Sequence, residues 1–208
     1  MITAACIRST RLFAATLALA LTLSGCAGGG GAPTRYYIIG PIEADALSPG
    51  DAPPAVQIIG LDLPQYLERV QIATQAAPNR MHFSEGHQWS ENLRKNLLRT
   101  LSRNLSRLLG SPSIGAPGAR SASAPDYRVR VTVTQFERDV AGTVRLDASW
   151  QILDAGGAQA VRSFQSQLSS ASTVKAGDYD AIVASMQSLF GELSVAIARQ
   201  VVTLDDGT

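Results

Sequence analysis

The stretch DYRVRVTVTQFERD, Asp126–Asp139, alternates residue by residue. Tyr127, Val129, Val131 and Val133 share one face while Arg128, Arg130, Thr132 and Thr134 share the other, the period-two pattern of a half-buried strand. Downstream, TVRLDASWQILDAGG, Thr143–Gly157, repeats it with Val144, Leu146, Ala148, Trp150 and Ile152. Its Asp154–Gly157 turn leads into QAVRSFQSQLS, Gln159–Ser169. The three segments predict an antiparallel meander whose Arg, Thr, Ser and Gln face meets water or a neighbouring subunit.

Working outward, the apolar period changes from two to three and four. In SEGHQWSENLRKNLLRTLSRNLSRLLG, Ser84–Gly110, the residues Trp89, Leu93, Leu97, Leu101, Leu105 and Leu108 fall on one helical face. Gly110 is the expected stop. Trp89 and the leucines are expected in the core. Lys95, Arg99, Arg103 and Arg107 recur four apart on another side, a basic stripe with two readings: contact with lipid phosphates or an acidic partner, or a solvated helix face. A second helix is predicted over DYDAIVASMQSLFGELSVAIARQVVTL, Asp178–Leu204. Asp178 would cap it, with Ile182, Met186, Leu189, Leu193, Ile197 and Val201 as its stripe. A sheet and two helices with one apolar face each predict a two-layer α+β domain, mainly antiparallel sheet packed against two long amphipathic helices.

The remaining pieces are shorter. RYYIIG, Arg35–Gly40, reads as a first strand, and AVQIIGLDLP, closed by Pro64, as a second. PIEADALSPGDAPP between them carries four prolines and reads as loop. QYLERVQIATQ and NRMHFSEG are extended pieces around Pro78, and SPSIGAPGARSASAP, Ser111–Pro125, is a surface loop or crossover.

At the N-terminal end, Arg8 and Arg11 precede the apolar run LFAATLALALTL and then LSGC, the order of a secretory signal peptide. The run is shorter than the roughly 20 residues that span a bilayer, and no later stretch is expected to reach that length. LSGC, Leu23–Cys26, resembles the lipobox of bacterial lipoproteins, in which cleavage leaves the cysteine as an acylated N-terminus. The alternative is a free or buried thiol. The expected organisation is a signal peptide over 1–25, lipidated Cys26 with a flexible tether over 26–34, and one domain over 35–204. Ala27, where an aspartate would retain a lipoprotein at the inner membrane, points to the outer membrane. Several acyl chains anchor durably, at about 0.8 kcal/mol per buried methylene. Without the signal, 16 basic residues face 17 acidic ones. That balance gives no support for nucleic-acid binding.

Catalytic patterns are wanting. No G-x-S-x-G occurs. His82 and His87 are the only histidines, five apart, which misses the spacing of a helical metal pair; loop or helix-cap duty is the expectation for them. Asp62 and Glu68 suggest no acid–base couple, and GGGG lacks the strand and lysine of a phosphate loop. Neither an enzyme, a cofactor nor a metal is expected.

Taken in order, the lipobox, YYII, LPQYLERVQIAT, HQWSENLRKNLLRTLSRNL, VRVTVTQFERD, VRLDASWQILD and the closing helix resemble the PqiC family of auxiliary lipoproteins over Tyr36 to about Val202. The resemblance implies an outer-membrane lipoprotein facing the periplasm. Its implied partner is an MCE-type system, whose inner-membrane-anchored tunnel protein carries phospholipids or other lipophiles. It also implies a homo-oligomeric ring, and it brings no catalytic residues. The alternative is a scaffold lipoprotein for an outer-membrane or cell-wall complex, without lipid handling.

Overall fold

The computed structural model describes residues 33–47, 53–117 and 124–206. Cys26 and the signal segment lie outside the described residues. Thr34–Thr208 forms one compact unit.

The meander is present as expected: β6 (Tyr127–Arg138), β7 (Val144–Leu153) and β8 (Ala160–Ser169) pair antiparallel in sequence order. A bulge between Val133 and Gln135 shifts the register of β6, so that Phe136 and not Gln135 continues the buried face. On its other side β6 forks. Its first half pairs in parallel with β2 (Val56–Asp62), while its last residue, Arg138, meets Thr74 of β3 (Gln71–Ala77). A short 3-10 turn, Gln65–Glu68, joins the two branches. β4 (Arg80–Trp89) pairs antiparallel with β3 and carries β1 (Arg35–Tyr37) in parallel; β5 (Ile114–Gly115) lies parallel to β2. The eight-stranded sheet is therefore mixed, with its longest pairings antiparallel.

Two helices cover one face. In α1 (Leu93–Leu109) the five leucines at 93, 97, 101, 105 and 108 are buried, and Gly110 ends the helix in the left-handed region at φ 62°. Only glycine adopts that conformation without a Cβ penalty. In α2 (Tyr179–Asp205) the predicted stripe is buried from Ile182 to Val201, and the Asp178 carboxylate accepts the Ala181 N–H at 3.1 Å as its cap. Facing them are Val129, Val131, Leu146, Trp150 and Ile152. Each buried valine, leucine or isoleucine among them contributes about 1.5–3 kcal/mol.

Three expectations need correction. The first helix begins at Leu93, not near Ser84, because Ser84–Trp89 is consumed by β4; the Asn92 side chain accepts the Lys95 N–H and caps the helix there. Trp89 is core, but as the end of a strand. Secondly, α2 is long and apolar enough to cross a membrane, against the expectation that no later stretch would be; its stripe is instead spent on the core. Thirdly, the segment after Pro33 leaves the sheet at Tyr37 because α1 captures its backbone.

Candidate functional site

The basic stripe of α1 is divided by its neighbours. Arg99 forks onto Glu91, Nη1 to Oε2 at 2.8 Å and Nη2 to Oε1. That hydrogen bonding holds the Glu91 carboxyl below, and the Arg99 guanidinium above, their ordinary pKa values. Arg107 reaches Glu43 Oε1 at 2.9 Å and donates to the Ile42 carbonyl at 2.6 Å. Lys95, Arg103 and Arg107 are exposed, and only Arg99 is half-buried. The periodicity placed all four on one side; it carried no information about the carboxylates that Glu91 and Glu43 bring to them.

Beside the leucine stripe runs a second row, Asn96, Thr100 and Asn104, four apart and only 2%, 2% and 0% exposed. Buried polar side chains need partners, and these find them in the backbone of the segment that follows β1. The Ile39 N–H donates to Asn96 Oδ1 at 2.8 Å, and the Ile39 carbonyl accepts from Asn96 Nδ2 at 3.0 Å and Thr100 Oγ1 at 2.8 Å. One turn on, the Ile42 N–H donates to Asn104 Oδ1 at 3.0 Å, while α2 supplies Gln187 Oε1 to the Gly40 N–H at 3.1 Å. A Cβ at Gly191 would stand 2.3 Å from Ile42 Cγ2, so the missing side chain forms the notch in which Ile42 sits. Residues 38–47 are thus a strap laid across both helices. Its signal was present in the sequence as three polar residues at helical spacing on an otherwise apolar face.

At the far end of the sheet an open cleft of about 760 Å³ lies between β3, β4, the end of β6 and the start of α2. From the Gln71–Gln88 partners to Ala73–Phe83, β3 advances two residues and β4 five, and the extra residues of β4 bulge toward the cleft. Both histidines line it, so neither serves in a loop or at a helix cap. His87 stacks on Tyr179 with ring centroids 4.1 Å apart, and its Nδ1 lies 3.0 Å from Ser84 Oγ. Arg138 also lines the cleft, but its guanidinium is engaged by the carbonyls of Val174 and Asp139 at 2.6 and 3.0 Å. Among the described residues no group of three or more His, Cys, Asp or Glu side chains is placed to hold a metal. Behind the cleft, buried Glu137 accepts from Tyr66 Oη at 2.7 Å, Gln135 Nε2 at 3.0 Å and the Phe136 N–H at 3.0 Å. Burial, and then this bond, raise the Tyr66 phenol above its ordinary pKa. The cluster ties the 3-10 turn to β6.

The uncovered face of β6, β7 and β8 carries Arg130, Thr132, Ser149, Gln151, Ser163 and Gln165 around a shallow groove of about 440 Å³. A covered core face and a bare polar face define a two-layer α+β domain that offers surfaces to partners. The chain belongs to the family of ABC-type transport auxiliary lipoprotein components, whose model matches residues 36–198. Two crystal structures share the fold. One, of an uncharacterised protein, has a TM-score of 0.63 at 22% identity and covers 81% of this chain and 99% of its own. The other, a Xanthomonas campestris protein of family DUF330, has a TM-score of 0.63 at 17% identity and covers 83% and 99%. No curated protein matches the sequence.

Proposed function

We propose that this chain is an outer-membrane lipoprotein, anchored through Cys26 and facing the periplasm. It serves as the docking subunit of an MCE-type ABC transport system that moves phospholipids or other lipophiles between the two membranes. The observation that carries this reading is a junction: the family match begins at residue 36, directly after LSGC and the glycine spacer. Residues 1–25 are then the removed signal and 26–34 the tether.

Among the described residues the clefts of about 760, 590 and 500 Å³ are open grooves on the surface. That favours a role in which lipid passes along or through an assembly and is not stored in one subunit. Copies form a ring, one patch meeting a different patch on the next copy, and the opening receives the tip of the tunnel. Within the basic stripe, contact with lipid phosphate or an acidic partner falls to Lys95 and Arg103, since Arg99 and Arg107 already hold carboxylates.

The test is Cys26→Ala in the full chain. The variant is expected to lose acyl labelling, leave the membrane fraction and no longer co-purify an MCE-domain protein from detergent extracts. Unchanged labelling refutes attachment at Cys26. A lipidated wild type that brings down only barrel-assembly or cell-wall proteins refutes the transport reading in favour of a scaffold.

A further inference from the structure

We propose that the free edge of β8, with the flank of α2 beside it, joins two copies of this chain about a twofold axis. The contact is isologous and closes at two copies, so it goes beyond the head-to-tail ring and uses surfaces of its own.

Among the described residues β8 pairs only with β7, so the backbone along its other side has no strand partner. That edge is ten residues long, about 33 Å, against three residues in β1 and two in β5. Exposed edges are ordinarily blunted by proline, by a bulge or by charge. β8 has no proline, its one register shift falls at the Ala160 end, and its only charged residue is Arg162. Its core-side residues are also incompletely covered. Phe164 and Leu168, aligned with buried Trp150 and Leu146 on β7, are only half-buried. From Leu168 an open groove of about 590 Å³ continues onto α2 at Val195 and Ala196.

A second copy fits this edge because the edge complements itself. Residues directly opposite in an antiparallel pair share a face. With the axis at Ser166, Phe164 meets Leu168 of the second copy on the core side, while Gln165 meets Gln167 and Ser163 meets Ser169 on the polar side. Arg162 falls opposite Ser170, so no like charges are opposed. The helix carries the same symmetry. Glu192 and Arg199 both line the groove, both are exposed, and neither forms an ion pair among the described residues. They stand about 10 Å apart along α2, with Val195 and Ala196 midway between them. A twofold axis at that midpoint sets Glu192 of each copy against Arg199 of the other and covers Val195, Ala196 and Leu168. Leu168 belongs to the same groove as the helix midpoint, so one axis serves strand and helix together.

The test uses the full-length protein in native membranes with Ser166→Cys at the axis. Mild oxidation should yield a disulfide-linked species of twice the mass, while the wild type and Ser149→Cys, exposed on the central strand β7, yield none. In the Ser166→Cys background Glu192→Arg sets like charges across the axis and should cut the linked fraction about tenfold or more. Adding Arg199→Glu reverses both partners and should restore it. Sedimentation in detergent gives a readout independent of the cysteine: Glu192→Arg should lower the mass of the assembly, and the double reversal should recover it. Absence of the linked species from a folded, thiol-reactive Ser166→Cys protein overturns the proposal. So does a linked fraction or a mass that Glu192→Arg leaves unchanged, or one that the double reversal fails to restore. A closed assembly of many copies without the Ser166 link overturns the twofold contact and leaves the ring standing, and a strict monomer overturns both.

Discussion

Placing a methyl group at Gly191 tests whether the strap is keyed to α2. In a helix interior Gly→Ala ordinarily stabilises by about 0.8–1.0 kcal/mol. Here the new Cβ would lie 2.3 Å from Ile42 Cγ2, where carbon atoms prefer about 3.5–4.0 Å. Cγ2 is bonded directly to Cβ, so it moves only if χ1 turns or the backbone shifts, and a β-branched side chain resists the first. The second is opposed by the bonds from the Ile42 N–H to Asn104 and from Arg107 to the Ile42 carbonyl. Overpacking of this kind costs about 1–3 kcal/mol. Net of the helix gain, Gly191→Ala should destabilise by up to about 2 kcal/mol, or up to about 8 °C in melting temperature for a domain this size. Thermal and urea melts measure it. In an Ile42→Ala background the obstacle is gone, and the same substitution should stabilise by about 0.5–1 kcal/mol. A change of sign between the two backgrounds is the signature of direct coupling. Stabilisation by Gly191→Ala with Ile42 intact refutes the notch.

Trp89→Ala should lower stability by about 3–5 kcal/mol, since the side chain is buried at the end of β4; a fully stable variant that loses partner binding marks Trp89 as a contact residue instead. Tyr66→Phe removes one of three donors from buried Glu137, and a loss of about 1–3 kcal/mol is expected by melting. Burial alone would raise the Asp139 carboxyl, but hydrogen bonds from Arg145 and the Thr143 N–H prevail and hold it below its ordinary 3.8. A depressed folded-state pKa contributes stability above the unfolded value and loses it as pH falls through the folded one. The stability deficit of Arg145→Met should therefore be present at pH 7 and fade below about pH 4; a deficit independent of pH refutes the charge coupling.

The sequence made the meander legible because its three strands are neighbours in the chain, and alternation at Val129, Val131 and Val133 fixes both type and face. It could not make β2 legible as the strand inserted beside β6, because a run such as Val56, Ile58 and Ile59 shows burial without naming a partner. The start of α1 was misread for a related reason. Trp89 stands four residues before Leu93 and completes a helical stripe on paper, yet β1 and the Val70 carbonyl, just ahead of β3, claim its backbone for the sheet. What distinguished the two was the capping Asn92, a local signal weaker than the leucine period. Of the candidate site, Lys95, Arg99, Arg103 and Arg107 could be placed on one side by period alone. Which of them hold carboxylates depends on Glu91 and on Glu43, the latter 64 residues before Arg107, and no helical period encodes that.

The polar row on α1 links these outcomes. Asparagine and threonine in a helix interior compete with the backbone and add no apolar area, so a helix serving only as core would gain from leucine at 96, 100 and 104. Leucine there would leave the N–H and C=O groups of Ile39 and the N–H of Ile42 without the partners they now have. Leaving a buried backbone group unpaired costs about 1–3 kcal/mol, so leucine would expel the strap, not merely loosen it. Backbone bonds to Asn96, Thr100, Asn104 and Gln187 supply those partners. They specify one docked path for the strap, on which Ile39 enters the core and Ile42 sits in the notch at Gly191.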